Sequence, residues 1–222
     1  MNPIVFDIET GPLPTADVLA VSPPFDAGAV RVGNLGPDKA AAKVESARNE
    51  HVAKVLDRAA LSALTGRVLA IGYGHNGAVS IDGDGRSERQ ILLRFWERCR
   101  KQMRSDSLMV GHNIFGFDLP FLVRRSWAIG LADKVPARLL RNERYWASIF
   151  VDTMIHWRLG DYREYVSLDT LAKAFGLEGK LPGVNGADFA RLWEEDPPKA
   201  LAYLRQDIEV TTNVARRMGI LQ

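Results

Sequence analysis

Sulfur chemistry is almost missing from this chain, since Cys99 is its one cysteine. A single thiol excludes an internal disulfide framework and a cysteine-based zinc site, and it suits a reducing cytosol, so the expected location is cytoplasmic. Long apolar runs are missing too. None approaches the roughly 18–20 residues of a membrane span. The first residues lack a signal-peptide pattern, because Pro3 and Asp7 interrupt them and no basic run precedes an apolar stretch. Excess charge of either sign is also lacking. The 29 basic and 27 acidic residues leave a net charge of +2, too balanced to announce nucleic-acid binding by itself. Of the histidines, His51, His75 and His156 lack metal-ligand spacing and read as structural or exposed.

What is present is an ordinary globular composition, 46% hydrophobic and 25% charged over 222 residues. That is enough to bury a core within one domain, expected to span 1–222. PIVFDI at 3–8 reads as a short buried strand that Gly11-Pro12 and Pro14 stop. The stretch 22–37 is irregular, and the alanine-rich stretch from Asp38 to Leu64 reads as a helix. Its apolar face runs through Val44, Ala47, His51, Val52, Val55, Leu56 and Ala59. Residues 22–65 are therefore expected to be a helical insertion after the first strand.

Two alternating strands follow at 67–74 and 78–83, joined through His75-Asn76-Gly77 as a hairpin. An amphipathic helix spans 87–104, with Ser87 as cap and Gln90 closing a capping box. A strand at 107–113, a helix over LPFLVRRSWAIG and a short strand entering a helix at 150–159 come next. Helices near 167–175 and 187–195 flank a loop with Gly176, Gly179, Pro182, Gly183 and Gly186. A last helix runs from Pro197 or Pro198 to Met218. Strands interleaved with helices, then a helical C-terminal half, predict an α/β mixed sheet flanked by helices.

Carboxylates carry the chemistry. Residues two apart on a strand share a face, so Asp7 and Glu9 stand together opposite Phe6 and Ile8. Two adjacent acids at the end of a buried strand repel each other and lose hydration, and a divalent cation relieves both costs. The competing reading is a solvated strand end. Asp118 sits in GHNIFGFDLPFL at the mouth of a helix, where it is either a site carboxylate or a helix cap. Tyr203 and Asp207, four apart on the last helix, present their polar ends to one side, at the border of the face made by Leu201, Leu204 and Ile208. Asp152 reads as a cap of the helix it opens, ahead of the alternative of an acid supporting the site carboxylates.

FDIET, GHNIFGFDLPFL and YLRQD resemble, in order, the three motifs of the DEDD superfamily of 3′→5′ exonucleases in its tyrosine-bearing subgroup. The likeness is to the proofreading exonuclease domain of family B DNA polymerases, and more distantly to RNase D. VDTMIHW and SLDTLAKAFGL resemble connecting segments of the same superfamily. The resemblance implies a ribonuclease H-like fold and two divalent metal ions, Mg²⁺ or Mn²⁺. Asp7, Glu9 and Asp207 would hold one ion, and Asp7 with Asp118 the other. Tyr203 would orient the attacking water, since a phenol with a reference pKa near 10 is a poor base at neutral pH. The implied reaction releases nucleoside 5′-monophosphates from a nucleic-acid 3′ end, with single-stranded DNA favoured and RNA possible. Thr10, Leu13, His112, Asn113 and Phe117 form the candidate substrate-binding set. Arg124, Arg125, Arg138, Arg141 and Arg144, with Tyr145 and Trp146, are candidate phosphate contacts or solvated surface. Two rival readings stand beside this one: RNA 3′-end trimming, and a non-catalytic binding module of the same fold. The second calls for a missing carboxylate, and none of the motif carboxylates is missing.

Overall fold

The computed structural model describes residues 2–140, 149–161, 163–179 and 188–222, without the side chains of Arg138 and Leu140. The Arg138 side chain, Arg141, Arg144, Tyr145 and Trp146 therefore lie outside the described residues, as do Pro182, Gly183 and Gly186. By packing, the chain divides into two compact units, Met1–Thr10 with Val68–Gln222, and Gly11–Arg67.

The larger unit is built on a five-stranded mixed sheet of order β3-β2-β1-β4-β5. Its strands are β1 (Ile4–Pro12), β2 (Gly66–His75), β3 (Ala78–Asp82), β4 (Met109–Gly111) and β5 (Phe150–Asp152). β1 does not stop at Ile8 as its Gly-Pro pair suggested but continues to Pro12. A proline at a strand's last residue forfeits little pairing, because the ladder ends there anyway. β1 runs parallel to β4 with Ile4 beside Met109, and β4 runs parallel to β5. β2 and β3 are antiparallel, with His75 opposite Ala78. Only Asn76 and Gly77 turn the chain, both at positive φ, as a tight hairpin of this twist requires.

Helices cover both faces. α3 (Glu88–Arg104) starts with the expected capping box between Ser87 and Gln90, and packs Phe95 5.4 Å from Phe6. α4 (Asp118–Ala128) lies beside it, where Trp96 donates to the Ser126 hydroxyl at 2.8 Å. Cys99 is buried on α3, and burial pushes its thiol up to about 12, so it carries no thiolate chemistry at neutral pH. The opposite face takes α9 (Pro197–Arg217), whose Leu204 and Ile208 join Val5, Leu69 and Val110 in one apolar cluster. Short helices α5 (Ala137–Leu140), α6 (Thr153–Arg158), α7 (Leu168–Ala174) and α8 (Phe189–Glu195) complete the unit.

The Gly11–Arg67 unit holds α1 (Thr15–Val21), which the sequence pattern did not signal, and α2 (Pro37–Asp57). α2 ends at Asp57 rather than Leu64, and the expected Ala59 falls in a separate 3-10 turn; on α2 itself Val44, Ala47, His51, Val52, Val55 and Leu56 are each half-buried, and none of its described residues is fully buried. No helix among the described residues is long and apolar enough to cross a membrane.

Two glycines set the spacing between α9 and the sheet. A Cβ on Gly72 would stand 2.8 Å from Ile208 and 3.0 Å from Leu204, and one on Gly74 would stand 2.7 Å from Ile208. The helix can lie this close only because those strand positions have no side chain. Gly72→Ala is therefore expected to lower the urea unfolding free energy by about 1–3 kcal/mol, the usual cost of overpacking. An unchanged midpoint would show that the helix can shift without loss.

Candidate metal centre

The parity of β1 assigns its side chains before any motif is considered. Val5 packs under α9 and Phe6 packs under α3, so Asp7 and Glu9, sharing parity with Val5, face α9. There they meet Asp207. One oxygen each from Asp7, Glu9 and Asp207 can be chosen so that all three lie within 4.8 Å of one another. Glu9 and Asp207 are buried, and Asp7 is half-buried. Three carboxylates held that close repel one another strongly in a poorly solvated pocket. An all-oxygen donor set of this charge suits a hard divalent cation such as Mg²⁺ or Mn²⁺ and lacks the nitrogen and sulfur ligands that zinc sites favour.

Asp118 reaches the same strand by a different route. It is not a helix cap: Phe117 occupies the cap position with no side-chain cap bond, and Asp118 is the first helical residue. Its carboxylate turns away and accepts the Ile8 N–H at 3.2 Å. Burial, then the charge of Asp7, and more weakly that of Asp152, raise its pKa well above the usual carboxylate range, against the Ile8 hydrogen bond that lowers it. Asp118 is thus an acid beside Asp7, held by β1 backbone.

The turn that delivers Asp118 is tied down by Asp152. One carboxylate accepts N–H groups from Asn113 at 2.9 Å and Phe115 at 3.1 Å, and caps α6 through Met154 at 2.9 Å and Ile155 at 3.4 Å. The sequence favoured a helix cap, and the cap is present; the same carboxylate also ties down the neighbouring turn. Asn113 carries the left-handed turn at φ 61°, and its side chain fills the space where a Gly116 Cβ would sit, 2.3 Å from Asn113 Oδ1. His112 anchors the other flank: Nε2 faces the Val166 carbonyl at 3.0 Å and Nδ1 faces the Thr153 hydroxyl at 2.9 Å. A carbonyl only accepts, so Nε2 carries a proton.

Tyr203, one turn before Asp207, is as buried as its partner and stands within the apolar cluster rather than at its border, with Phe189 6.2 Å from its ring. Phe117 is half-buried, and its ring lies 5.4 Å from Phe121. Thr10 is buried at the end of the same unit's β1 segment, whereas Leu13 belongs to the Gly11–Arg67 unit, where it donates to the Thr65 carbonyl at 2.8 Å. Arg125 is not a phosphate contact. It is buried, and its guanidinium forks onto Glu88 at 2.9 and 2.8 Å. The same Glu88 also accepts the Val68 N–H at 2.9 Å. Arg124, its neighbour, is exposed. The sequence reading missed Gly72 and Gly74, whose signal was a small residue at every second position of an otherwise apolar strand.

Comparison with known proteins agrees with this architecture. A family model described as the RNase_H superfamily matches residues 61–217. Among solved structures, the chain is similar to the family B DNA polymerase of the hyperthermophilic archaeon Pyrobaculum calidifontis, with a TM-score of 0.61 at 18% identity. The alignment covers 98% of this chain and 24% of the polymerase, so the likeness is to a fraction of that protein and is one of fold. No curated protein matches significantly.

Two outcomes follow from the buried acids. Asp152→Ala leaves four N–H groups without their acceptor and is expected to cost on the order of 3 kcal/mol in chemical unfolding; a near-neutral effect would mean the turn holds itself. Asp118 binds its proton more tightly folded than unfolded, so in EDTA stability falls as pH rises from its ordinary value of 3.8 through the raised folded value. Asp118→Asn is expected to flatten that decline between pH 4 and 8 in pH-resolved denaturation, and an identical slope in both proteins would contradict it.

Proposed function

We propose that this chain, which belongs to the RNase H superfamily, is a metal-dependent 3′→5′ exonuclease of the tyrosine-bearing DEDD type. The observation that carries the reading is the meeting of Asp7, Glu9 and Asp207, from opposite ends of the chain, within 4.8 Å. Asp118 beside Asp7 adds the fourth carboxylate of the motif set. Asp7, Glu9 and Asp207 would hold one divalent ion and Asp7 with Asp118 a second. Such ions supply the positive charge that an anionic phosphodiester demands and lower the pKa of the attacking water.

The remaining tasks fall to the protein's own groups. Tyr203 stands one helical turn from Asp207 and orients the water by hydrogen bonding; a phenol, with a reference pKa near 10, is a poor base at neutral pH. Asn113 and Phe117 stand on the turn that Asp152 fixes, and there the amide and the ring take the terminal nucleotide by hydrogen bonding and stacking. Thr10 lines the end of the strand that bears the acids. His112, with both ring nitrogens engaged by the protein, holds the turn in place rather than reading the substrate. DNA is preferred over RNA on the single ground that the similar solved structure is a DNA polymerase; a 2′-hydroxyl would be read by the cleft wall and not by the carboxylates.

The assay is stepwise shortening of matched 5′-labelled single-stranded DNA and RNA with Mg²⁺ or Mn²⁺. Ladders that disappear with EDTA or Asp7→Ala are the expected result, with DNA degraded faster. If neither polymer shortens, the enzyme reading fails; if RNA alone does, the DNA preference fails. Tyr203→Phe is expected to lower kcat about tenfold to a hundredfold, and wild-type turnover would remove its water-orienting role.

A further inference from the structure

A second site lies on the face of the sheet away from the carboxylates. Between the β2–β3 hairpin and the C-terminal half of α3 the chain leaves a cavity of about 290 Å³. Tyr73, His75 and Ser80 line it from the hairpin, and Arg98, Lys101 and Gln102 from the helix. Tyr73 pairs with Ser80 across the hairpin, so both project to the α3 side.

Charge decides what this cavity suits. Three guanidinium groups converge on one buried carboxylate: Asp82 has Arg94 at 2.7 Å, Arg98 at 3.6 Å and Arg86 at 3.9 Å. Only Arg94 is at hydrogen-bonding distance. One carboxylate cannot balance three cations, and Lys101 adds a fourth positive charge one turn beyond Arg98 on the same helix face. Arg98 lies over the Tyr73 ring, 4.4 Å from its centre. It is therefore held in the wall by stacking, with hydrogen-bonding capacity beyond its loose Asp82 contact. The Tyr73 hydroxyl is buried beneath Arg98, which is its nearest donor group, and it makes no hydrogen bond of good geometry among the described residues. His75 directs its Nδ1–H to the Pro3 carbonyl at 3.1 Å, which leaves Nε2 as an acceptor for a ligand hydroxyl.

We propose that this cavity is an anion site for a phosphate group, held by Arg98 and Lys101 with the Ser80 hydroxyl as a neutral donor. Guanidinium, ammonium and hydroxyl donors with no acid among the lining residues match the acceptor-only oxygens of phosphate. The group arrives either on a free phosphomonoester or on a nucleic-acid backbone. This inference stands on its own residues and does not depend on the nuclease reading.

Calorimetric titration of the intact protein, in EDTA and at constant ionic strength, tests it with three probes. These are inorganic phosphate, deoxyadenosine 5′-monophosphate and a single-stranded oligonucleotide without terminal phosphates. Saturable binding is expected, weakened about tenfold or more by Lys101→Gln, as loss of a charge-assisted hydrogen bond implies. Ser80→Ala should weaken it less, and the charge-matched Lys43→Gln on α2 should leave it unchanged. Arg98→Gln is a secondary variant, because Arg98 also packs on Tyr73; Lys101→Gln, at an exposed position, carries the test if Arg98→Gln does not fold. Tighter binding of the mononucleotide than of the oligonucleotide assigns the free phosphomonoester, and the reverse order assigns the backbone. No saturable binding of any probe, or equal weakening by Lys101→Gln and Lys43→Gln, overturns the site.

Discussion

The close seating of α9 on β2, where Gly72 and Gly74 leave no room for a Cβ, governs how near Asp207 stands to the first strand. Leu204 and Ile208 fill the space above those glycines, and helical spacing then places Tyr203 and Asp207 along the same buried face. β1 supplies the other half of the constraint. Val5 must be apolar because it lies under the helix, and the pleat carries Asp7 and Glu9 to that side with it. The carboxylate group is thus a consequence of packing on two elements far apart in the chain. Its mutual repulsion is opposed by the apolar contacts that surround it, which is where the free energy for holding like charges together comes from.

How much of this could be read from the sequence depends on how local each cause is. Strand parity put Asp7 and Glu9 together, the Asn76-Gly77 pair fixed the hairpin, and Ser87 with Gln90 marked the start of α3; each acts over a few residues. α2 likewise showed its half-buried face through period alone. The failures are tertiary. Asp118 satisfies every local condition for a cap, yet its carboxylate bonds to Ile8, 110 positions earlier. Arg125 reads as a surface cation until Glu88 is found beside it. Tyr203 and Asp207 were expected at the border of a helix face, since nothing local reveals that two glycines draw the helix down and bury both. β1 outran its Gly-Pro signal, because the remaining strands, and not the turn propensity of Gly11-Pro12, decide where pairing ends.

Asp152 shows how one polar group can couple two pieces of the architecture. Its carboxylate opens α6 and also collects the N–H groups of the turn after β4, so the ends of two neighbouring parallel strands share one acceptor. His112 repeats the pattern on the other flank, from Thr153 to Val166. Both bind backbone or hydroxyl groups whose positions are set by the sheet. The turn bearing Asn113, Phe117 and Asp118 is therefore held by hydrogen bonds at the end of the strands where α/β folds place their ligands.

The near-zero net charge hides a segregation that the sheet enforces. Asp7, Glu9 and Asp207 cluster on the α9 side, while Arg86, Arg94 and Arg98 cluster around the single carboxylate of Asp82 on the α3 side. The sheet and its apolar packing stand between them, a low-dielectric layer through which neither group can neutralise the other by contact. On the readings proposed above, each cluster would draw its counter-charge from solution, cations on one face and anions on the other. Counting charges along the sequence averages these two demands to almost nothing. Reading them by strand parity separates them, because whether a residue falls on an odd or an even position of β1 and β2 decides which face, and which counter-charge, it belongs to.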